Sequence, residues 1–263
     1  VLRPHEQPIC SIAAAPDGRL VVGSQQGDVL VLSLATGVVE ATLAGHMSAM
    51  FALCPLTDGT NRLLSGGGGD RVVRLHDLDG ANGGTRVPPT REYHGHTHAV
   101  NAIVQLPGSR CASASADKTV HTWATESGAC LATLRGHTGW VYALAVADDD
   151  TLVSGGDDKT LRVWDTRTYA AVATFATPSP ILALLRLTDG TLASGHNDGV
   201  VRLWDCRRRE VVSEVRGHAR DVRGLSQLPD GRLASASWDK TVRLWDVAAR
   251  ACVGVVTAST ELY

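Results

Sequence analysis

One pattern recurs along this chain of 263 residues and leaves few folds open to it. Gly-His occurs at Gly45-His46, Gly95-His96, Gly136-His137 and Gly217-His218. Some 22 residues after each comes an Asp, then a β-branched and Leu run ending in Trp or a stand-in. The six terminal positions are Leu32, His76, Trp123, Trp164, Trp204 and Trp245, separated by 44, 47, 41, 40 and 41 residues. A period of roughly 40–45 residues with these signals is that of a four-stranded antiparallel blade of a β-propeller. One such unit cannot bury its own faces and needs stacked neighbours. The repeat therefore predicts an all-β chain of six blades, residues 1–263 forming a single domain.

Aligned on the residue four after the Gly-His histidine, the inner strands start near residues 9, 50, 100, 141, 181 and 222. They read Ile9-Cys-Ser-Ile12, Met50-Phe-Ala-Leu53, Val100-Asn-Ala-Ile103, Val141-Tyr-Ala-Leu144, Ile181-Leu-Ala-Leu184 and Val222-Arg-Gly-Leu225. The third residue is always small, which suits strands crowded at a propeller axis. Asp17-Gly18, Asp58-Gly59, Asp189-Gly190 and Asp230-Gly231 follow as hairpin turns, because the Asp-Gly pair tolerates positive φ. The Gly- and Pro-rich segment 79–89 predicts an exposed, mobile loop. Val1–His5 aligns with the tail of an outer strand, and Tyr263 falls where another inner strand would begin. The chain thus reads as cut from a longer one. Its spacing is compatible with six-bladed closure and with six blades of a seven-bladed ring.

Net charge of −2 and a pI near 6.6 give no basis for bulk attraction to nucleic acid or anionic lipid. No apolar run approaches the ~18 residues that span a bilayer, so membrane insertion is not expected. The first residues carry no signal-peptide pattern and no initiator Met. The six Cys form no CxxC pair and read as thiols in a reducing compartment, cytoplasmic or nuclear. Cys130 and Cys252 share one repeat position and are expected to be buried or half-buried. No cofactor is expected. Gly66–Gly69 is a lengthened turn beside Asp70, with no Gly-Lys-Ser/Thr to make a phosphate loop.

Trp164-Asp165, Trp204-Asp205 and Trp245-Asp246, each downstream of a repeat start, resemble the WD40 repeat family over nearly the whole chain. The resemblance implies a noncatalytic interaction scaffold. It also implies a hydrogen-bonded chain of His, strand-two Ser, turn Asp and Trp in each blade. Carried over by position, three sets are complete: His96–Ser113–Asp117–Trp123, His137–Ser154–Asp158–Trp164 and His218–Ser235–Asp239–Trp245. Their chemistry stands without the family. A buried carboxylate needs donors, His can donate at one nitrogen and accept at the other, and indole only donates. Blade 5 has Thr177 in the His place but keeps Ser194, Asp198 and Trp204, blade 2 has His76 for Trp, and blade 1 has Gln26 for Asp and Leu32 for Trp. Blade 1 is expected to be the loosest. These sets imitate catalytic triads, but an active site would not be copied from blade to blade.

Two Trp remain outside the repeated positions. Trp140 precedes an inner strand and Trp238 precedes a turn Asp, two positions at one end of a blade, the top face of the resembled family. The equivalent and adjoining positions of blades 4 to 6 add Tyr142, Asp157, Asn197, Arg220, Asp221 and Arg223. Aromatic and Arg residues of this kind are enriched at binding hot spots. The expected partner is a protein or peptide, with acidic or phosphorylated side chains suited to the arginines. The plainer role for both Trp is filling gaps between blades. His94-Gly-His96-Thr-His98 could offer alternate imidazoles to a metal, but His96 belongs to the tetrad and no metal site is expected. Cys206-Arg207-Arg208-Arg209 is a basic turn at the opposite end, read as solvated charge with an acidic partner as its alternative. Residues 217–225 are similar to a segment of phospholipase A2-activating, ubiquitin-binding WD40 proteins. That similarity implies a second reading, substrate or ubiquitin recognition in a ubiquitin pathway.

Overall fold

The computed structural model describes residues 8–205 and 210–258. The basic turn at Arg207–Arg209 and the expectations about both chain ends lie outside the described residues. The described chain is all β, with 25 strands and no helix. They build six antiparallel blades, divided between two compact units, 1–135 and 136–263.

The first unit holds three blades. Blade 1 comprises Ile9–Ala14, Leu20–Ser24, Val29–Leu32 and Val39–Leu43. Blade 2 comprises Met50–Pro55, Arg62–Gly67, Val73–Asp77 and Arg91–Tyr93. Blade 3 comprises Val100–Leu106, Arg110–Ser115, Val120–Ala124 and Cys130–Leu134. The second unit repeats the plan. Blade 4 runs from Val141–Asp148 through Thr151–Gly156 and Thr160–Asp165 to Ala171–Ala176. Blade 5 runs from Ile181–Arg186 through Leu192–His196 and Val200–Asp205 to Glu210–Arg216. Blade 6 runs from Val222–Gln227 through Leu233–Ser237 and Thr241–Asp246 to Ala251–Thr257. All six inner strands begin where the repeat alignment put them.

Within each unit, blades interlock through a small residue on strand two and a large one opening the next inner strand. A Cβ on Gly23 would lie 2.7 Å from Met50 Cβ, and one on Gly66 2.7 Å from Val100 Cγ1. In the second unit the same contact joins Gly155 to Ile181 Cγ2 at 2.5 Å and Gly195 to Val222 Cγ1 at 2.8 Å. These distances are too short for a real side chain, so each glycine is a socket that its neighbour already fills. Strand two is correspondingly buried along its length in blades 2 to 5.

Two expectations need correction. Segment 79–89 is not a free loop. Thr85–Val87 pairs in parallel with Ala41–Leu43 and makes blade 1 five-stranded. Backbone bonds Gly84 N–Glu40 O (2.7 Å) and Ala44 N–Val87 O (2.8 Å) extend the pairing. Arg19 ties the segment further, donating to Leu78 O at 2.7 Å and to Ala81 O. An outer strand offers unpaired N–H and C=O groups, and the insertion satisfies them. Second, Cys130 and Cys252 are exposed. They open outer strands that no further strand covers among the described residues, and each sulfur rests near a carbonyl of its own strand, Ala132 O at 3.6 Å and Gly254 O at 3.4 Å. Cys111 is buried, and all five described cysteines are free thiols.

The socket packing predicts that Gly155→Val destabilises the protein by about 1–3 kcal/mol through overpacking. Gly254→Ala, whose new Cβ would meet Leu244 Cδ1 at an ordinary 3.4 Å, should stay within about 0.5 kcal/mol. Urea unfolding midpoints compare the two, and equal losses would contradict the packing.

Candidate functional site

The three complete tetrads form with nearly identical geometry. In blade 3, His96 Nδ1 lies 2.8 Å from Asp117, His96 Nε2 2.8 Å from Ser113 Oγ, and Trp123 Nε1 donates to the same oxygen at 2.8 Å. Blade 4 gives 2.9, 2.7 and 2.8 Å for His137–Asp158, His137–Ser154 and Trp164–Ser154. Blade 6 gives 2.8, 2.7 and 2.7 Å for His218–Asp239, His218–Ser235 and Trp245–Ser235. One assignment satisfies every atom: Nδ1–H donates to the carboxylate, the serine hydroxyl donates to Nε2, and indole N–H donates to the serine. Each Asp also accepts the amide two residues past its own position and the amide after the histidine, as Thr241 and Ala219 do for Asp239. Burial alone would raise the Asp117 and Asp239 carboxyls. The bonds from His96 and Thr119, and from Thr241, Ala219 and His218, reverse this and hold both well below the carboxylate range.

The glycine before each tetrad His has a steric reason. A Cβ on Gly217 would lie 2.9 Å from Arg243 Nη1 and 3.0 Å from the Trp245 ring. At Gly136 it would lie 2.5 Å from Arg162 Nη1. A strand-three arginine, two residues before the Trp position, therefore lies beneath the glycine. It recurs as Arg74, Arg162, Arg202 and Arg243, with His121 in its place in blade 3. The sequence reading missed this row, although aligning the repeats on the Trp position displays it.

Incomplete blades solve the same problem differently. In blade 2, His46 Nδ1 meets Asp70 at 2.8 Å, His46 Nε2 meets Ser65 at 2.8 Å, and His76 Nε2 takes the Trp place at 3.1 Å from Ser65. In blade 5 the missing imidazole comes from strand two itself. His196 Nε2 lies 2.7 Å from Ser194 Oγ, which also accepts from Trp204 at 2.6 Å, while Asp198 pairs with Arg202 at 2.8 Å. In blade 1, Val22, Leu30 and Leu32 form a small buried apolar cluster.

These sets share the orientation of a hydrolase triad but cannot act as one. Ser113 and Ser154 are fully buried and Ser235 nearly so, and each hydroxyl is occupied by both an imidazole and an indole. Among the described residues, His96, Asp117 and His121 bring possible metal ligands within 4.8 Å of one another. The two imidazoles are stacked at 4.1 Å and 24°, so their in-plane lone pairs do not converge. Both nitrogens of His96 are already bonded within the tetrad. His94 is exposed and pairs with Glu92 at 3.3 Å.

A backbone bond repeats at one end of every blade, between the residue before the turn Asp position (two before it in the lengthened turn of blade 2) and the residue before the inner strand. It joins Gln25 N to Pro8 O, Gly68 to Ala49, Ala116 to Ala99, Asp157 to Trp140, Asn197 to Pro180, and Trp238 to Asp221, at 2.8–3.1 Å. The tetrad and this clamp fix the loops that carry the surplus Trp. In the second unit they bring most of the expected binding residues together. Arg223 stacks on Trp238 with its Cζ 3.8 Å from the ring centre, and Arg220 lies 5.6 Å from the same ring. Asp221 takes Arg223 Nη2 at 3.2 Å and the Asn197 amide at 3.0 Å. Trp140 is 47% exposed and meets Tyr142 edge-to-face, 6.1 Å between centres. The Tyr142 phenol is raised first by burial and then by Asp157, with Arg223 opposing and Asp221 adding. Trp238 is thus half-buried beneath an arginine, whereas Trp140 faces outward.

Comparison with known proteins agrees with this geometry. A sequence profile described as WD domain, G-beta repeat matches residues 1–31, 88–124, 128–165, 171–205 and 209–246. The chain is 30% identical over 145 residues to the nuclear distribution protein PAC1 of Fusarium vanettenii, covering 51% of this chain and 31% of that protein. It is 34% identical over 115 residues to the ribosome biogenesis protein YTM1 of Coccidioides immitis, covering 44% and 22%. The chain thus spans under a third of the length of these curated relatives. The WD40 β-propeller domain of Doa1 is similar in fold, with a TM-score of 0.85 and 24% identity over 98% of this chain and 85% of that one.

The buried imidazoles predict an acid-sensitive fold. Burial pushes His76 down to about 3, and His121 and His196 to about 4. For each, the unfolded chain protonates first as pH drops below about 6.5. Their contribution is whole above that pH and is lost as pH falls toward about 4. The tetrad carboxylates, with Asp70 at about 2, hold their contribution above about pH 4 and lose it below. Urea unfolding from pH 7 to 4 should therefore show stability falling throughout. His121→Arg, the residue its equivalents carry, should flatten this limb while the protein still folds. An unchanged slope would contradict the burial argument.

Proposed function

The chain belongs to the WD40-repeat family, and from that premise we propose that it is a noncatalytic scaffold that binds a protein or peptide at one end of blades 4 to 6. The supporting observation is the cluster of Trp140, Tyr142, Asp157, Asn197, Arg220, Asp221, Arg223 and Trp238. Polar and aromatic side chains that the scaffold does not require are gathered there, on loops held by the clamp bonds Asp157–Trp140, Asn197–Pro180 and Trp238–Asp221. A tetrad or its blade 5 variant braces each loop from behind, so little loop ordering is needed on binding. Trp, Tyr and Arg are the types that dominate binding energy at such surfaces. On this reading residues 1–263 act as one propeller domain.

A cytoplasmic or nuclear location goes with the free thiols. It also fits relatives whose names place them in nuclear distribution and ribosome biogenesis. Recognition in a ubiquitin pathway is the second reading, carried by the segment 217–225. It uses the same surface, and the identity of a captured partner separates the two.

Trp238→Ala combined with Arg223→Ala should weaken the captured partner's binding by more than about 2 kcal/mol, measured by calorimetry after affinity capture and mass spectrometry. Arg232→Ala, in the hairpin at the opposite end of blade 6, should leave affinity nearly unchanged. If Arg232→Ala abolishes binding and the double variant does not, the surface is wrongly assigned.

A further inference from the structure

The two Trp residues of this surface sit in different electrostatic surroundings. At Trp238 the cation is held within the protein. Arg223 lies over the indole at 3.8 Å and pairs with Asp221 at 3.2 Å, and Arg220 lies 5.6 Å from the same ring. Trp140 has aromatic and acidic neighbours. The indole is 47% exposed, and Tyr142 packs its ring against it at 74°. The backbone of the exposed Asp157 is bonded to that of Trp140, amide to carbonyl at 2.8 Å, and its carboxylate is close enough to act on the Tyr142 phenol. Asp157 and Asp221 both act on the Tyr142 phenol in the sense of negative charge, and Arg223 alone opposes them.

A cation gains from both parts of such a corner, the negative face of an indole and a nearby carboxylate. An anion meets repulsion from both. Resting on the partner-binding reading above, we propose that the corner formed by Trp140, Tyr142 and Asp157 receives a basic side chain, Lys or Arg, from a peptide partner. The arginines that suggested an acidic or phosphorylated partner point the other way once placed. Arg223 is already stacked and paired, and its carboxylate partner Asp221 adds to the negative field at Tyr142.

The test uses degenerate peptide pools with one fixed central residue: Lys, Arg, Glu, phosphoserine or Ala. Retention on the immobilised protein is measured for wild type, Trp140→Ala, Asp157→Asn and Trp238→Ala, with urea midpoints confirming that each variant folds. The Lys or Arg pool should be retained about ten-fold above the Ala pool. That excess should vanish in Trp140→Ala, fall in Asp157→Asn and persist in Trp238→Ala. Preference for the Glu or phosphoserine pool, lost with either Trp, would overturn the basic partner and leave the binding surface standing. Retention of basic pools that depends on Trp238 alone would overturn the corner. No pool above Ala, or retention indifferent to both Trp substitutions, would overturn the corner and the surface together.

Discussion

A serine hydroxyl with no access to water is the joint on which each complete blade depends. Ser113, Ser154 and Ser235 sit in strand two, buried between a loop imidazole and a strand-three indole. An unpaired hydroxyl there would cost about 1–3 kcal/mol, so strand two, strand three and the incoming loop can settle only where all three donors and acceptors meet. The histidine's other nitrogen extends the chain to the turn Asp, which in turn holds backbone amides on both loops. One polar row thus fixes the loops that carry the exposed side chains.

The departures obey the same constraint. Blade 2 replaces indole by His76, another group able to bond the serine. Blade 5 loses the loop histidine and supplies His196 from the strand. In blade 1, apolar Val22 and Leu32 stand in the serine and Trp places and pack with Leu30. Exchanging both partners for apolar groups is far milder than removing one.

Much of the fold was legible because its signals are periodic. Six inner-strand starts and the turns followed from spacing, and the three tetrads from the family resemblance carried over by position. What escaped lay outside the repeat or depended on three-dimensional neighbours. His196 could not be found by asking what stands in the histidine place, because it reaches the same serine from a different position. The pairing of Thr85–Val87 with blade 1 joins residues about 44 apart in sequence, and its composition resembles any Gly-Pro loop. Cys130 looked like a packing residue because it repeats, yet outer strands face solvent on their far side. At the candidate surface, sequence placed the residues at one end of the blades. It could not show that Arg223 turns inward onto Trp238 and leaves the corner at Trp140 acidic and aromatic.

The scaffold and the surface are therefore one argument: a binding face is only as well ordered as the polar rows behind it. A double-mutant cycle on Ser235→Ala and Trp245→Phe, read by urea unfolding, tests that row most directly. A coupling of about 1 kcal/mol or more between the two substitutions is predicted, because each removes one side of a shared buried bond. Losses that add within about 0.3 kcal/mol would contradict the claim that serine, histidine and tryptophan act as a single joint.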